Sequence, residues 1–196
     1  MLQMKGLSKG LLMGLLVLVL SGCGPDESGP ESADRSVAPA ASVAALAGVP
    51  EYRPSFVLPD MDGVERTIEE WDGQVVLLNF WAPWCPPCVR EMPAFMELQD
   101  DYAEHGFSVV AVAIDTLQNV IDFVDPLGIE FPILMGTDDG IAIAREYGNR
   151  VGALPYTVIY DRQGRIVYTH RNEMTYAEAA EVIEPLLHDL PVSSAN

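Results

Sequence analysis

The hydrophobic positions of this chain fall into three regimes. The run Leu11–Leu20 is unbroken and apolar, residues 24–50 are polar and small with no aromatic residue, and from residue 51 onward short apolar stretches alternate with amphipathic ones. The first run would span about 15 Å as a helix, roughly half of a hydrocarbon core, so it is too short for a stable membrane span. The third regime predicts secondary structure. Phe56–Leu58 and Val64–Ile68 flank Asp60-Met-Asp-Gly63 and predict a β-hairpin. Gln74–Trp81 is a continuous apolar strand of the kind that fills a sheet centre. A helix follows over 86–104 with a kink expected at Pro93, then a buried strand over 107–114 and a short helix over 118–127. An edge strand over 131–135 and a helix over 141–147 ending at Gly148 come next. Strands over 156–160 and 165–170 share the turn Asp161-Arg-Gln-Gly164, and a last helix opens on the capping box Thr175-Tyr-Ala-Glu178 and runs to about Leu187. This order predicts an α/β fold: a parallel βαβ unit, an added N-terminal hairpin and a terminal antiparallel pair, giving a mixed sheet with helices on both faces.

Charge narrows the function classes. The chain carries 11 Lys+Arg against 29 Asp+Glu, a net charge of −18. That balance argues against a nucleic-acid partner, whose phosphates demand clustered cations, and against a polybasic membrane surface. The only lysines are Lys5 and Lys9, immediately before the apolar run, which makes residues 1–22 a secretory signal peptide. Leu20-Ser21-Gly22-Cys23 resembles the bacterial lipobox, which implies lipidation of Cys23 and cleavage before it. The acyl chains would hold the protein at the membrane, and by the sorting rule this resemblance implies, Gly24 favours the outer membrane over the inner. Residues 23–50 then read as the lipidated cysteine and a flexible linker, 51–190 as one domain, and 191–196 as a short tail. Loss of the two lysines leaves arginine as the only strong cation of the mature chain.

With Cys23 consumed, Cys85 and Cys88 remain. They lie where the central strand gives way to a helix, in Trp84-Cys85-Pro86-Pro87-Cys88. A Cys-x-x-Cys at that point is a redox pair that can close a small disulfide ring. Cys85 at the helix start faces backbone amides and the positive end of the dipole, which favour the attacking thiolate. Cys88, one turn further in, is expected to be shielded and to act as the resolving thiol. Trp81 and Trp84 frame the pair, one as core and one as rim, and Met92 and Met96 are core side chains.

The segment Asn79-Phe-Trp-Ala-Pro-Trp-Cys-Pro-Pro-Cys88, followed by Glu91-Met-Pro93 and later by Gly152-Ala-Leu-Pro-Tyr-Thr-Val-Ile-Tyr160, resembles the TlpA/ResA type of membrane-anchored, thioredoxin-like disulfide reductases. The resemblance covers Pro54 to about Leu187. It implies a thioredoxin-like fold and a cis peptide at Pro155, with Leu154 offering its backbone to a substrate beside Trp84, Pro86 and Pro87. Thioredoxin places an Asp on the central strand; here the residue is Asn79, which cannot titrate. The resemblance implies that Glu91, three residues beyond Cys88, handles the proton, where a surface carboxylate near a helix start is the plainer alternative. It further implies that the substrates are disulfide-containing exported proteins such as apocytochrome c, that a transmembrane electron donor of DsbD/CcdA type recharges the pair, and that no cofactor is needed.

Three other readings compete. A thioredoxin-fold peroxidase would set its cysteine in a different local context. A metal carrier is the second: zinc would need two further ligands, and His105, His170 and His188 have no ligand spacing, whereas copper could take a two-thiolate site. A purely structural or binding lipoprotein leaves the intact Cys-x-x-Cys without a use.

Overall fold

The structure is a computed structural model, and it describes residues 48–188. The expected signal peptide 1–22, Cys23 with the expected linker up to residue 47, and the expected tail 191–196 lie outside the described residues.

Val75–Trp81 has no exposed position, and it runs down the middle of the sheet as β3. Around it the sheet has the order β5-β4-β3-β6-β7, formed by β4 (Phe107–Ala113), β5 (Ile133–Met135), β6 (Tyr156–Tyr160) and β7 (Ile166–Arg171). β3, β4 and β5 are parallel, while β6 and β7 join antiparallel to their neighbours. The helices are α1 (Pro86–Tyr102), α2 (Leu117–Leu127), α3 (Gly140–Glu146) and α4 (Tyr176–His188). A right-handed crossover from β3 to β4 and on to β5 puts α1 and α2 on one face. The return pass to β6 puts α3 on the other. The core divides accordingly. Odd-numbered β3 side chains (Val75, Leu77, Trp81) pack with Met92, Phe95, Leu98, Val120 and Ile183, whereas Val76, Leu78 and Phe80 pack with Ile143, Ala144 and Tyr147.

The predicted N-terminal hairpin is present but shorter and separate. β1 (Val57–Pro59) and β2 (Glu65–Thr67) form their own two-stranded sheet. Ile68, expected at the strand's end, instead opens a 3₁₀ turn over Ile68–Trp71, because Thr67 and Glu70 close a reciprocal capping box on it. The helix predicted over 86–104 runs through Pro93 as α1 and ends at Tyr102; a 3₁₀ turn over Ala103–His105 then leads to Gly106, whose φ of 77° is the left-handed stop. At the last helix, Glu178 accepts bonds from the Thr175 amide and hydroxyl, as the capping box requires.

The end of the sheet where β3 and β4 begin is held by paired cations. Arg162, in the β6–β7 turn, donates to the carbonyls of Gly73, His105, Gly106 and Leu187 at 3.0–3.4 Å. Arg53 bonds Glu69 at 3.1 Å and also Asp72. An open cleft of about 290 Å³ between Arg53, Asp72 and Arg162 lies at this end, away from the cysteines. Burial opposes the charge of Glu69, but hydrogen bonds from Ser55 and Thr67 and the Arg53 guanidinium overcome it and lower its pKa to about 2.

Candidate active site

β3 delivers the chemistry to the opposite end. Strand order reverses between β3 and β6, and the crevice beyond the carboxyl end of a strand at such a switch point is where α/β sheets place their sites. After Trp81 the chain turns through Ala82, whose carbonyl accepts from the Cys85 amide at 3.1 Å. Cys85 is the N-cap of α1, in extended geometry (φ −95°, ψ 105°), and its side chain makes no capping bond. Pro86 and Pro87 fill the first two helical positions, where a missing N–H costs least. They also change the electrostatics expected there. Of the first-turn residues only Cys88 has an amide to offer, so a Cys85 thiolate has the helix dipole but few backbone donors.

Cys85 and Cys88 are joined in a disulfide with their Cα atoms 5.3 Å apart. Cys88 is fully buried, as expected of a resolving thiol, and in this oxidised state Cys85 is also nearly covered, at 4% exposure. Trp84 is the rim residue, 65% exposed, while Trp81 is core and meets Phe123 at 5.2 Å between ring centroids with the rings tilted by 51°. Pro86 is exposed and Pro87 half-buried. Met92 is fully buried and Met96 packs at the edge of the same core.

The strand across from β3 brings the second half of the site. The Leu154–Pro155 peptide is cis. Leu154 is half-buried against the core that contains both cysteines, and Pro155 is buried. The Pro155 carbonyl accepts from the Asn172 amide at 3.3 Å, in the turn between β7 and α4, where Asn172 takes the left-handed φ of 81° that Asn tolerates.

Glu91 is not a surface carboxylate. It is 1% exposed, on the inward face of α1 one turn beyond Cys88. Its Oε1 accepts from Asn79 Nδ2 at 2.9 Å and its Oε2 from the Met174 amide at 3.0 Å. Burial pushes its pKa up to about 8 against those two donors, and the charge of Glu173 adds to the rise. Among the described residues no cation bonds it: Arg90, its chain neighbour, points outward to Glu173 at 2.7 Å. Asn79 also donates to Thr157 Oγ1 at 3.0 Å. Sequence reasoning named Asn79 and Glu91 separately and missed Thr157 and Met174. The Thr157 contact was discoverable from strand pairing, since Asn79 and Thr157 are register partners. The Met174 amide, a backbone group in a turn, had no signal in the sequence.

Comparison with known proteins resolves what this arrangement is. The Redoxin family profile matches residues 48–183. The chain belongs to the Redoxin family. It is 37% identical over 140 residues to the thiol-disulfide oxidoreductase ResA of Halalkalibacterium halodurans, covering 71% of this chain and 77% of that one. It is 36% identical over 134 residues to ResA of Geobacillus thermodenitrificans, covering 68% and 75%. Among solved structures, a thiol:disulfide interchange protein of the thioredoxin family from Chlorobium tepidum superposes with a TM-score of 0.64 at 27% identity, over 70% of this chain and 97% of that one. This Redoxin member thus has the thioredoxin-like fold, and with its Cys85–Cys88 pair it is a thiol–disulfide oxidoreductase acting on disulfide-bearing substrates. Its ResA relatives are extracytoplasmic.

Proposed function

We propose that the protein works as a reductant, opening disulfides of exported proteins such as apocytochrome c in the bacterial envelope, held to the membrane through lipid on Cys23. In the reduced enzyme the Cys85 thiolate attacks one sulfur of a substrate disulfide. A mixed disulfide forms between Cys85 and that sulfur, and the other substrate sulfur leaves as a thiolate and takes up a proton. Cys88 then gives its proton to Glu91 and attacks Cys85 Sγ, expelling the second substrate thiol. Two electrons pass from the enzyme dithiol to the substrate, and the enzyme is left as the disulfide. A transmembrane dithiol donor of DsbD/CcdA type returns the two electrons.

The observation that carries the direction is the Pro86-Pro87 pair at the start of α1. A strong oxidant owes its power to a reduced form stabilised at the attacking thiolate. Here the two prolines remove backbone donors and no His stands between the cysteines. Glu91, buried between neutral donors and one turn past Cys88, supports the proton transfer. Trp84, Pro86 and Pro87 offer the substrate an apolar rim, and the backbone of Leu154 beside Pro155 offers it a pairing edge. Anchoring is assigned to lipid on Cys23 because Leu20-Ser21-Gly22-Cys23 resembles a lipobox, with the outer membrane favoured by Gly24.

The test is a reduction potential together with a trap. We expect the Cys85–Cys88 couple to lie near or below about −220 mV and Cys88→Ala to accumulate mixed disulfides with envelope proteins. A potential near that of strong oxidants, about −120 mV, would overturn the reductant reading. Failure of Cys88→Ala to trap any partner would overturn exchange through Cys85.

A further inference from the structure

One peptide group in the β7–α4 turn bonds side chains from two different elements. Its N–H, that of Met174, donates to Glu91 Oε2 at 3.0 Å, and its C=O, that of Glu173, meets His170 Nε2 at 3.1 Å. A carbonyl only accepts, so Nε2 is the donor. It carries a hydrogen both in the neutral tautomer that this bond selects and in the charged ring. Imidazole, peptide and carboxylate thus form a chain of three groups, joined by two hydrogen bonds that run in the same direction.

The sheet sets this chain up. Asn79, Thr157 and His170 are register partners across β3, β6 and β7, so their side chains leave the same face, the one that carries α1. Asn79 holds Glu91 Oε1 directly, at 2.9 Å. His170, half-buried and two strands away, reaches Oε2 through the turn. The turn is tied on both sides of that peptide. The Asn172 amide donates to the Pro155 carbonyl at 3.3 Å and the Thr175 amide to Glu178 at 2.9 Å, and Met174 itself is fully buried. Tyr168 lies nearly parallel to the ring, 6.2 Å away between centroids, with its hydroxyl 3.5 Å from Nδ1.

Hydrogen bonds in such a chain polarise one another, each strengthening by roughly 10–30% inside a protein. A donor on the Glu173 carbonyl therefore makes the Met174 N–H a better donor. The gain is greatest toward an ionised carboxylate, whose hydrogen bonds are about twice as strong as neutral ones. We propose that His170 is a positioning residue for Glu91, acting through the Glu173–Met174 peptide to aim and strengthen the donor that readies the carboxylate for the Cys88 proton. The proposal deepens the acid–base reading of Glu91 and rests on it. His170 works against the burial that pushes the Glu91 pKa up to about 8. On the other sides, α1 brings Cys85, Cys88 and Arg90, which pairs with the Glu173 side chain at 2.7 Å. α4 brings Glu178, bonded to Thr175, and β7 brings Arg171, which turns to the Gly148 carbonyl at 3.3 Å. β3 and β6 bring the neutral Asn79 and Thr157.

His170→Phe keeps a ring beside Tyr168 but has no donor, and His170→Gln keeps a donor, since its amide nitrogen can take the place of Nε2. The readout is NMR of ¹³C-labelled full-length reduced protein, following the Glu91 carboxyl carbon. We expect its midpoint to rise by about half a pH unit in His170→Phe, threefold in proton affinity, and to return to the wild-type value in His170→Gln. The pH at which single-turnover disulfide exchange accelerates moves by the same amount. His170→Leu gives the same test should the Phe variant not fold. A midpoint that stays or falls in a folded donor-free variant would overturn the proposal, and so would a Gln variant that matches it, since His170 would then only brace the turn. Glu91→Gln keeps the underlying reading separate. A pH–rate profile indifferent to that change would overturn the acid–base role of Glu91, while the carboxyl midpoint still decides what His170 does.

Discussion

Glu91 and Glu69 sit at opposite ends of one sheet, and their surroundings drive them in opposite directions. At the redox end Glu91 is buried among neutral donors, and its pKa rises to about 8. At the far end Glu69 meets Arg53, Ser55 and Thr67, and its pKa falls to about 2. Both are penalised by burial. What separates them is a cation together with hydroxyl donors, which hold the charge of Glu69, where two N–H groups do not suffice for Glu91. The far end is thus built to keep its charges, while the redox end holds a group that can exchange a proton near neutral pH.

If that division holds, substitutions at one end leave the other's property intact. The largest effect belongs to Cys85→Ser, which should abolish disulfide exchange, a loss of about a thousandfold or more, because the attacking thiolate is gone. Its urea midpoint should match that of the reduced wild type, and a large drop would show that Cys85 also holds the fold. Next comes Glu91→Gln. A carboxyl whose folded pKa lies above its unfolded one contributes stability that is complete below about pH 4.5 and lost as pH rises through about 8. The variant lacks that loss, so at pH 9 relative to pH 5 it should gain on the wild type by roughly 3–5 kcal/mol. Urea melts of both proteins at the two pH values give the difference, and a gain of the opposite sign contradicts the burial argument.

Arg162→Met tests the far end. It strips donors from the carbonyls of Gly73, His105, Gly106 and Leu187, and we expect a loss of about 2–3 kcal/mol. The Cys85–Cys88 potential should not move, and if it does the two ends are coupled. The smallest effect is that of Glu69→Gln. Its depressed pKa gives a contribution present above about pH 4.5 and lost as pH falls through about 2. Because the side chain is 40% exposed, solvent screening limits the loss to about 1 kcal/mol at pH 7. Thermal melts at pH 7 and pH 2.5 should show the two proteins converging at the lower value.

Local patterns carried most of the fold. A seven-residue strand at β3 that is apolar at every position but Asn79, the capping box at Thr175 and the Asp161–Gly164 turn each announce an element through nearest-neighbour chemistry. Where a second local signal competes, the pattern misleads. Thr67 reads as strand but caps a turn, which shortens β2 and frees Ile68 for the core. In the site, the cysteines could be named from their spacing at a helix start, and Glu91 through the resemblance to the TlpA/ResA type. The burial of Glu91 could not, because it depends on β3, β6 and the β7–α4 turn converging from residues 79, 157 and 174. Long-range assembly of polar groups leaves no periodic mark on the chain.

The Cys85–Cys88 ring closes within a single helical turn, at a sequence separation of 3. In the chain-entropy account so short a loop restricts the unfolded chain by only about 2 kcal/mol, where a loop of a hundred residues would give nearly 5. By that account the oxidised protein opens to a protease about thirtyfold less often than the reduced one, where the longer loop would give a factor of a few thousand. The charged, reduced form is therefore the more readily degraded of the two, and turnover of the enzyme pool is tied to its redox load.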